Sequence, residues 1–238
     1  MNNIHRIGDI MYKKGDFHIH SIYSDGKCTP EDVVIISKER NIDIISLTDH
    51  NNTDGIDEAI LTGKKLEIKV IPGVELSTRY NNSKVHILGY FKDDNYKNDL
   101  LVEILKTVRA HKISAIKRLM KNHINFYDKK DRLDIRTGIE ILKFFEATVV
   151  LAHPVLLNRN EFNNVINLNF DGLEAKYYLN TDEDTEYFLN VAKNNNLLYT
   201  AGSDFHNKDG IRPEIGFVNT EFTLSEEEIN EILRNLEK

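Results

Sequence analysis

Cysteine is almost missing from this chain. Cys28 is the only one among 238 residues, which excludes an intrachain disulfide framework and a thiolate metal cluster. Cys28 itself reads as a small, partly buried side chain, and its scarcity fits a reducing compartment, so the expected location is the cytoplasm. Long apolar runs are missing too: nothing approaches the roughly 20 consecutive apolar residues that span a bilayer. The stretch from Met1 to Asp9 lacks the basic, then apolar, then small-residue order of a secretion signal. No membrane contact is expected. Positive charge is in deficit, with 31 Lys and Arg against 38 Asp and Glu and a net charge of -7. That argues against a duplex nucleic acid partner, which calls for a basic face. Repeats, low-complexity segments and linker-like composition are also lacking, so one domain over residues 1–238 is expected, with 40% hydrophobic residues to form its core.

What the chain does have is histidine at strand ends. Asp16, Phe17, His18, Ile19 and His20 alternate as an extended strand does, which sends both histidines to one face and Phe17 and Ile19 to the other. Asp25 and Gly26 then turn the chain and can return a carboxylate over the strand end. Further strands are expected at 42–48, 67–71, 84–90, 148–152, 172–175 and 197–201. Helices are expected from Thr29, an N-cap followed by Pro30, to about Arg40, and over 53–64, 98–122, 135–145 and 182–194. A final helix is expected after Thr223 as N-cap, and Pro72 and Gly73 are expected to turn the chain before Glu75. Alternation of strand and helix argues for parallel strands with crossover helices, hence an α/β layered or barrel fold of about seven strands. In such barrels functional groups lie at the C-terminal ends of strands.

His18, His20, His50, His86, His153 and His206 all lie in or just beyond expected strands, and Asp25, Glu75 and Asp204 lie beside them. Nine nitrogen and oxygen ligands exceed the needs of one ion and suit two or three. Histidine and carboxylate without cysteine point to Mn, Fe, Zn or Mg. Three carboxylates and several divalent ions leave a net positive pocket for a phosphate, and neighbouring ions can place a hydroxide for in-line attack on phosphorus.

These segments resemble the PHP (polymerase and histidinol phosphatase) family of metal-dependent phosphoesterases. The matching pieces are Asp16 to Ser21 with Ser24 to Gly26, Thr48 to Asn51, Pro72 to Glu75, His86 in its strand, Ala152 to Pro154, and Gly202 to His206. They come in the family's order over residues 16–206. The resemblance implies a distorted seven-stranded (β/α) barrel, TIM-barrel-like, with a trinuclear metal site. It implies one ion at His18, His20, Glu75 and Asp204, a second sharing Glu75 with His86 and His153, and a third at Asp25, His50 and His206. It implies hydrolysis of a phosphate monoester, of a nucleotide or another small molecule, by a metal-activated hydroxide. The alternatives are an exonuclease-like 5′-3′ phosphodiesterase on short oligonucleotides, a histidinol-phosphate phosphatase, and a metal-binding module without turnover. Residues 91–147, the variable helical segment, are shorter than in the nucleotide-specific members. Arg109, Arg212 and Lys176 are candidate phosphate binders. Asp16 and Asp49 read as partners of the metal-bound histidines or as strand-end caps.

Overall fold

The computed structural model describes residues 12–128, 131–208, 213–218, 221–222 and 224–236. Seven strands form one sheet in chain order: β1 (Gly15–Ile19), β2 (Ile44–Leu47), β3 (Lys69–Tyr80), β4 (Ser83–Tyr90), β5 (Thr148–Leu151), β6 (Gly172–Tyr177) and β7 (Leu198–Gly202). The sheet curls until its ends meet. Ile19 bridges Phe205 just past β7, and the His20 N–H donates to the Phe205 carbonyl at 2.9 Å. The expected distorted seven-stranded α/β barrel is therefore present. Ile44, Leu88 and Val150 face inward with Phe17, Ile71 and Leu198, while their chain neighbours Ile45, Ile87 and Val149 face outward to the helices. This is the period-two alternation of a sheet buried on both faces.

Helix α1 (Pro30–Glu39) starts as its sequence requires. Thr29 accepts from the Asp32 N–H at 3.0 Å and Asp32 accepts from the Thr29 N–H at 3.2 Å, a reciprocal cap. Helix α2 (Ile56–Leu66) packs against it. The expected helix over 98–122 is instead two helices, α3 (Asp99–Arg109) and α4 (Ile113–Met120). His111 sits at φ 54, its N–H bonds the Val108 carbonyl, and the Lys112 N–H bonds the Thr107 carbonyl. That pair of bonds terminates a helix and redirects the chain, with histidine where glycine is usual. With α5 (Ile135–Phe144), these helices cover the outer face of β3–β5. The unanticipated α6 (Arg159–Val165) is capped by Asn158, and α7 (Asp182–Asn194) by Thr181. A short hairpin, β8 (Phe217–Val218) and β9 (Glu221–Phe222), precedes α8 (Glu226–Leu236), whose Ile229, Ile232 and Leu236 close one end of the barrel interior. Thr223, the expected cap of that helix, lies outside the described residues.

Three expectations about the strands need correction. The sheet is not parallel throughout: β4 runs antiparallel to both β3 and β5. Only Asn81 and Asn82 separate β3 from β4, with Asn81 at φ 53, and so short a link allows a hairpin but no crossover helix. Nor does β3 end at Pro72. Its ladder with β4 carries it on to Tyr80, so Glu75 lies within the strand opposite Leu88. Finally, Phe17 and Ile19 do not share a face. The register of β1 against β2 shifts between Asp16 and Ile19, so Phe17 packs inside the barrel and Ile19 outside against Val33 and Val34.

Lys176 bears on this framework. Its Nζ lies 2.6 Å from Glu228 Oε1, which also accepts from the Tyr199 hydroxyl at 2.9 Å, tying β6 and β7 to α8. Burial works against the Glu228 charge, yet Lys176 and the Ser225 N–H hold its carboxyl below the usual range. A depressed carboxylate pKa adds stability above the ordinary value, and that contribution is lost as pH falls through the folded one. Lys176→Met is expected to cost about 1–2 kcal/mol at pH 7. The difference from wild type should shrink when denaturant midpoints are measured below pH 4.

Candidate metal centre

The nine sequence-selected ligand residues come together at one mouth of the barrel. His18 and His20 arrive on and just after β1. The following loop, which carries Asp25, is held by Asp49, whose carboxylate accepts from the Ser21 N–H at 2.8 Å, the Ser21 hydroxyl at 2.7 Å and the Ser24 hydroxyl at 2.5 Å. His50 follows β2, where it bridges to Glu75. His86 is near the start of β4, opposite Ser77, and the reversed strand direction is what brings it to the mouth. His153 follows β5, and Asp204 and His206 follow β7. Asp16 locks the closure of the barrel, accepting from the N–H groups of His18, Ser203 and Gly216. Gly202 is needed for close approach: a Cβ there would stand 2.2 Å from that of His18.

Glu75, 1% exposed, stands at the centre. Its Oε2 lies 3.2 Å from His18 Nε2, 3.1 Å from His20 Nε2 and 3.0 Å from His50 Nδ1. Its Oε1 lies 2.6 Å from His86 Nδ1 and 2.9 Å from His153 Nε2. Asp204 Oδ1 is 3.2 Å from His20 Nε2 and 3.6 Å from His18 Nε2. Asp25 is 3.1 Å from His206 Nε2 and 3.8 Å from His50 Nε2. Cis ligands at about 2.1 Å from an ion are about 3.0 Å apart in an octahedron and about 3.4 Å apart in a tetrahedron. The observed separations fall largely in that range. His50 Nδ1 and both ring nitrogens of His86 are buried without an aligned hydrogen bond among the described residues, although Glu75 oxygens lie close to the two Nδ1 atoms. Lone pairs directed at common points, rather than at each other, give this pattern. The donor set fits divalent ions.

The electrostatics agree. Burial opposes charge throughout, yet Glu75 and Asp204 are held well below the carboxylate range by the surrounding histidines. His18 is raised by Glu174, Glu75 and Asp204, and His20 is pushed up to about 9 by Asp204 and Glu75, both against burial. Burial, helped by His20 and His86, pushes His50 down to about 3. The histidines thus favour the ionised form of both carboxylates, and the carboxylates favour the charged form of His18 and His20.

Two residues escaped the sequence reading. Glu174 is fully buried on β6, where it accepts from His18 Nδ1 at 3.0 Å and from the His153 N–H at 2.7 Å. The first bond aims His18 Nε2 into the cluster, and the second holds His153 at φ 29. Such a backbone costs on the order of 1 kcal/mol or more unless its surroundings impose it. Tyr177 donates to Asp204 Oδ2 at 2.7 Å, leaving Oδ1 to face the histidines. The signal for Glu174 was its acid placed within an expected strand, a burial that a carboxylate tolerates only with partners. Glu174→Gln should weaken metal affinity by about 10–100-fold, measured by titrating metal-free protein.

The cavity over the cluster is about 290 Å³ and is lined by Asp25, His50, Glu75, His86, His153, Asp204 and His206, with Lys84, Leu156, Leu157 and Tyr177 among the others. Neither Arg109, exposed at the end of α3, nor Lys176, paired with Glu228, belongs to that lining. Arg212 lies outside the described residues.

The PHP domain family matches residues 16–236. A 5′-3′ exoribonuclease of Haemophilus influenzae is 26% identical over 249 residues, covering 82% of this chain and 91% of that protein. A phosphoribosyl 1,2-cyclic phosphate 1,2-diphosphodiesterase of Eggerthella lenta is 25% identical over 255 residues, covering 85% of this chain and 97% of that protein. The solved structure of a Bifidobacterium adolescentis protein assigned as a metal-dependent phosphoesterase is similar with a TM-score of 0.74 at 21% identity, covering 93% and 96% of the two chains.

Proposed function

Because the chain belongs to the PHP domain family, we propose that it is a metal-dependent phosphoesterase that hydrolyses a phosphate monoester of a nucleotide or another small molecule. The observation that carries this reading is the convergence of nine nitrogen- and oxygen-bearing side chains beneath one cavity, five of the histidines among them lying against the two oxygens of the buried Glu75 carboxylate. Two or three divalent ions would be held: one by His18, His20, Asp204 and Glu75, another by Glu75, His86 and His153, and a third by Asp25, His50 and His206. Bound there, such ions supply Lewis acidity toward phosphoryl oxygens, lower the pKa of water, and reverse the sign of a pocket built on three carboxylates.

The chain's own contribution is positioning. Glu75 presents one oxygen to each side of the cluster, so both sides are held in a fixed relation. Glu174 and Tyr177 orient His18 and Asp204 from behind. The His206 Nδ1 bonds the Asp204 carbonyl at 2.8 Å and turns its Nε2 toward Asp25. The cavity's volume suits a small phosphorylated molecule or the terminal nucleotide of a strand. The likeness to the H. influenzae exoribonuclease over most of both chains supports a second reading, removal of mononucleotides from the 5′ end of short oligonucleotides.

The test is purified protein with Mn²⁺ against nucleotides, histidinol phosphate and a 5′-phosphorylated oligomer, with metal content measured on the same sample. Phosphate release from the small esters supports the first reading, and mononucleotide release from the oligomer the second. Undiminished turnover in a His18→Ala, Asp204→Ala double variant, or stoichiometric metal without hydrolysis of any substrate, overturns both.

A further inference from the structure

We propose that Lys84 selects substrates carrying a second anionic group beside the ester to be cleaved, an inference that rests on the phosphoesterase reading above. Lys84 is the lysine or arginine that lines the cavity among the described residues. No carboxylate pairs with it among those residues, whereas Lys97, Lys143 and Lys176 each have an acidic partner. A cation left unneutralised at the edge of a site made of acids and histidines is available for an anion from outside.

Its place on β4 determines which anion. Lys84, His86 and Leu88 alternate along one face of the strand, with Val85 and Ile87 on the other. Because β4 runs against its neighbours, this order reads from the mouth inward: cation, cluster histidine, apolar interior. Lys84 is thus about 7 Å further out along the strand than His86. An anion over the histidine–carboxylate cluster and an anion at the Lys84 ammonium are then separate groups of one molecule. Leu156 and Leu157 line the same cavity, and Leu156 is 57% exposed, an apolar surface for the organic part that joins them. A nucleoside 3′,5′-bisphosphate has this chemistry, and so does a 5′-phosphorylated strand with its next phosphodiester.

The experiment compares metal-loaded wild type, Lys84→Gln and Lys84→Arg on adenosine 3′-monophosphate, adenosine 5′-monophosphate and adenosine 3′,5′-bisphosphate. Lys84→Gln should raise KM for the bisphosphate about tenfold with kcat unchanged. It should leave both monophosphates within twofold, and Lys84→Arg should restore the bisphosphate. Binding of the same three compounds, followed by calorimetry, should show the same selective weakening and a reduced salt dependence for the bisphosphate. Equal losses on all three compounds would place Lys84 on the scissile phosphate and overturn the inference, as would no loss on any. If wild type hydrolyses none of them, that counts against the nucleotide form of the phosphoesterase reading and not against Lys84, and the calorimetric comparison still decides whether Lys84 recognises the second anion.

Discussion

Glu75→Gln is expected to abolish turnover and to strip metal from both sides of the cluster at once. The substitution keeps the volume of a side chain that is 1% exposed, so the barrel should still fold. What changes is charge and ligand capacity. Both carboxylate oxygens are in use, one facing His18, His20 and His50, the other facing His86 and His153. An amide offers one neutral oxygen, and its NH₂ group presents hydrogens where a ligand lone pair is needed. Loss of a group that only orients a ligand costs about 10–100-fold in metal affinity or activity. Loss of a ligand shared between two sides should exceed that range in activity. Metal analysis after dialysis, with turnover on the same sample, checks it. Retention of full metal content and rate would mean that Glu75 is not shared.

Exhaustive chelation is expected to lower the melting temperature by roughly ten degrees. Ions present at about 1,000 times their dissociation constant contribute about 4 kcal/mol to the folded state. In a chain of this size each 1 kcal/mol moves the midpoint by about 2–4 °C. The structural source is visible in the cluster: Glu75, Asp25 and Asp204 face a common space with six histidines, and carboxylates that close repel one another unless cations lie between them. Readdition of Mn²⁺ or Zn²⁺ should restore the midpoint. Identical melting curves for metal-free and reloaded protein would show that these side chains do not hold ions in the folded state.

Much of the site was legible because several of the converging side chains stand beside a local signal. Asp25 precedes a turn glycine, His50 lies between Asp49 and Asn51, His153 precedes Pro154, and Asp204 follows Gly202 and Ser203. Such pieces mark strand ends, and strand ends gather at one face of a barrel. The phosphate binders were less legible. The sequence places positive charge at Arg109 and Lys176, but nothing local reveals which way a long cationic side chain points. Arg109 is exposed at the end of α3, and Lys176 is paired with Glu228 of α8. Glu174 was overlooked for the converse reason: its partners, His18 and the His153 N–H, are 156 and 21 residues away.

The amino-acid order alone determined the kinds of donor side chain, the alternation that buries both sides of the strands, and the capped starts of α1 and α7, because each depends on residues within a turn or two of one another. Tertiary structure alone decided the direction of β4, the continuation of β3 through Pro72, and the closure of β1 on the segment after β7. An alternating strand such as 84–90 reads the same in either direction. Only its pairing with β3 and β5 turns Lys84 and His86 outward to the mouth, and pairing is a property of residues distant in the chain.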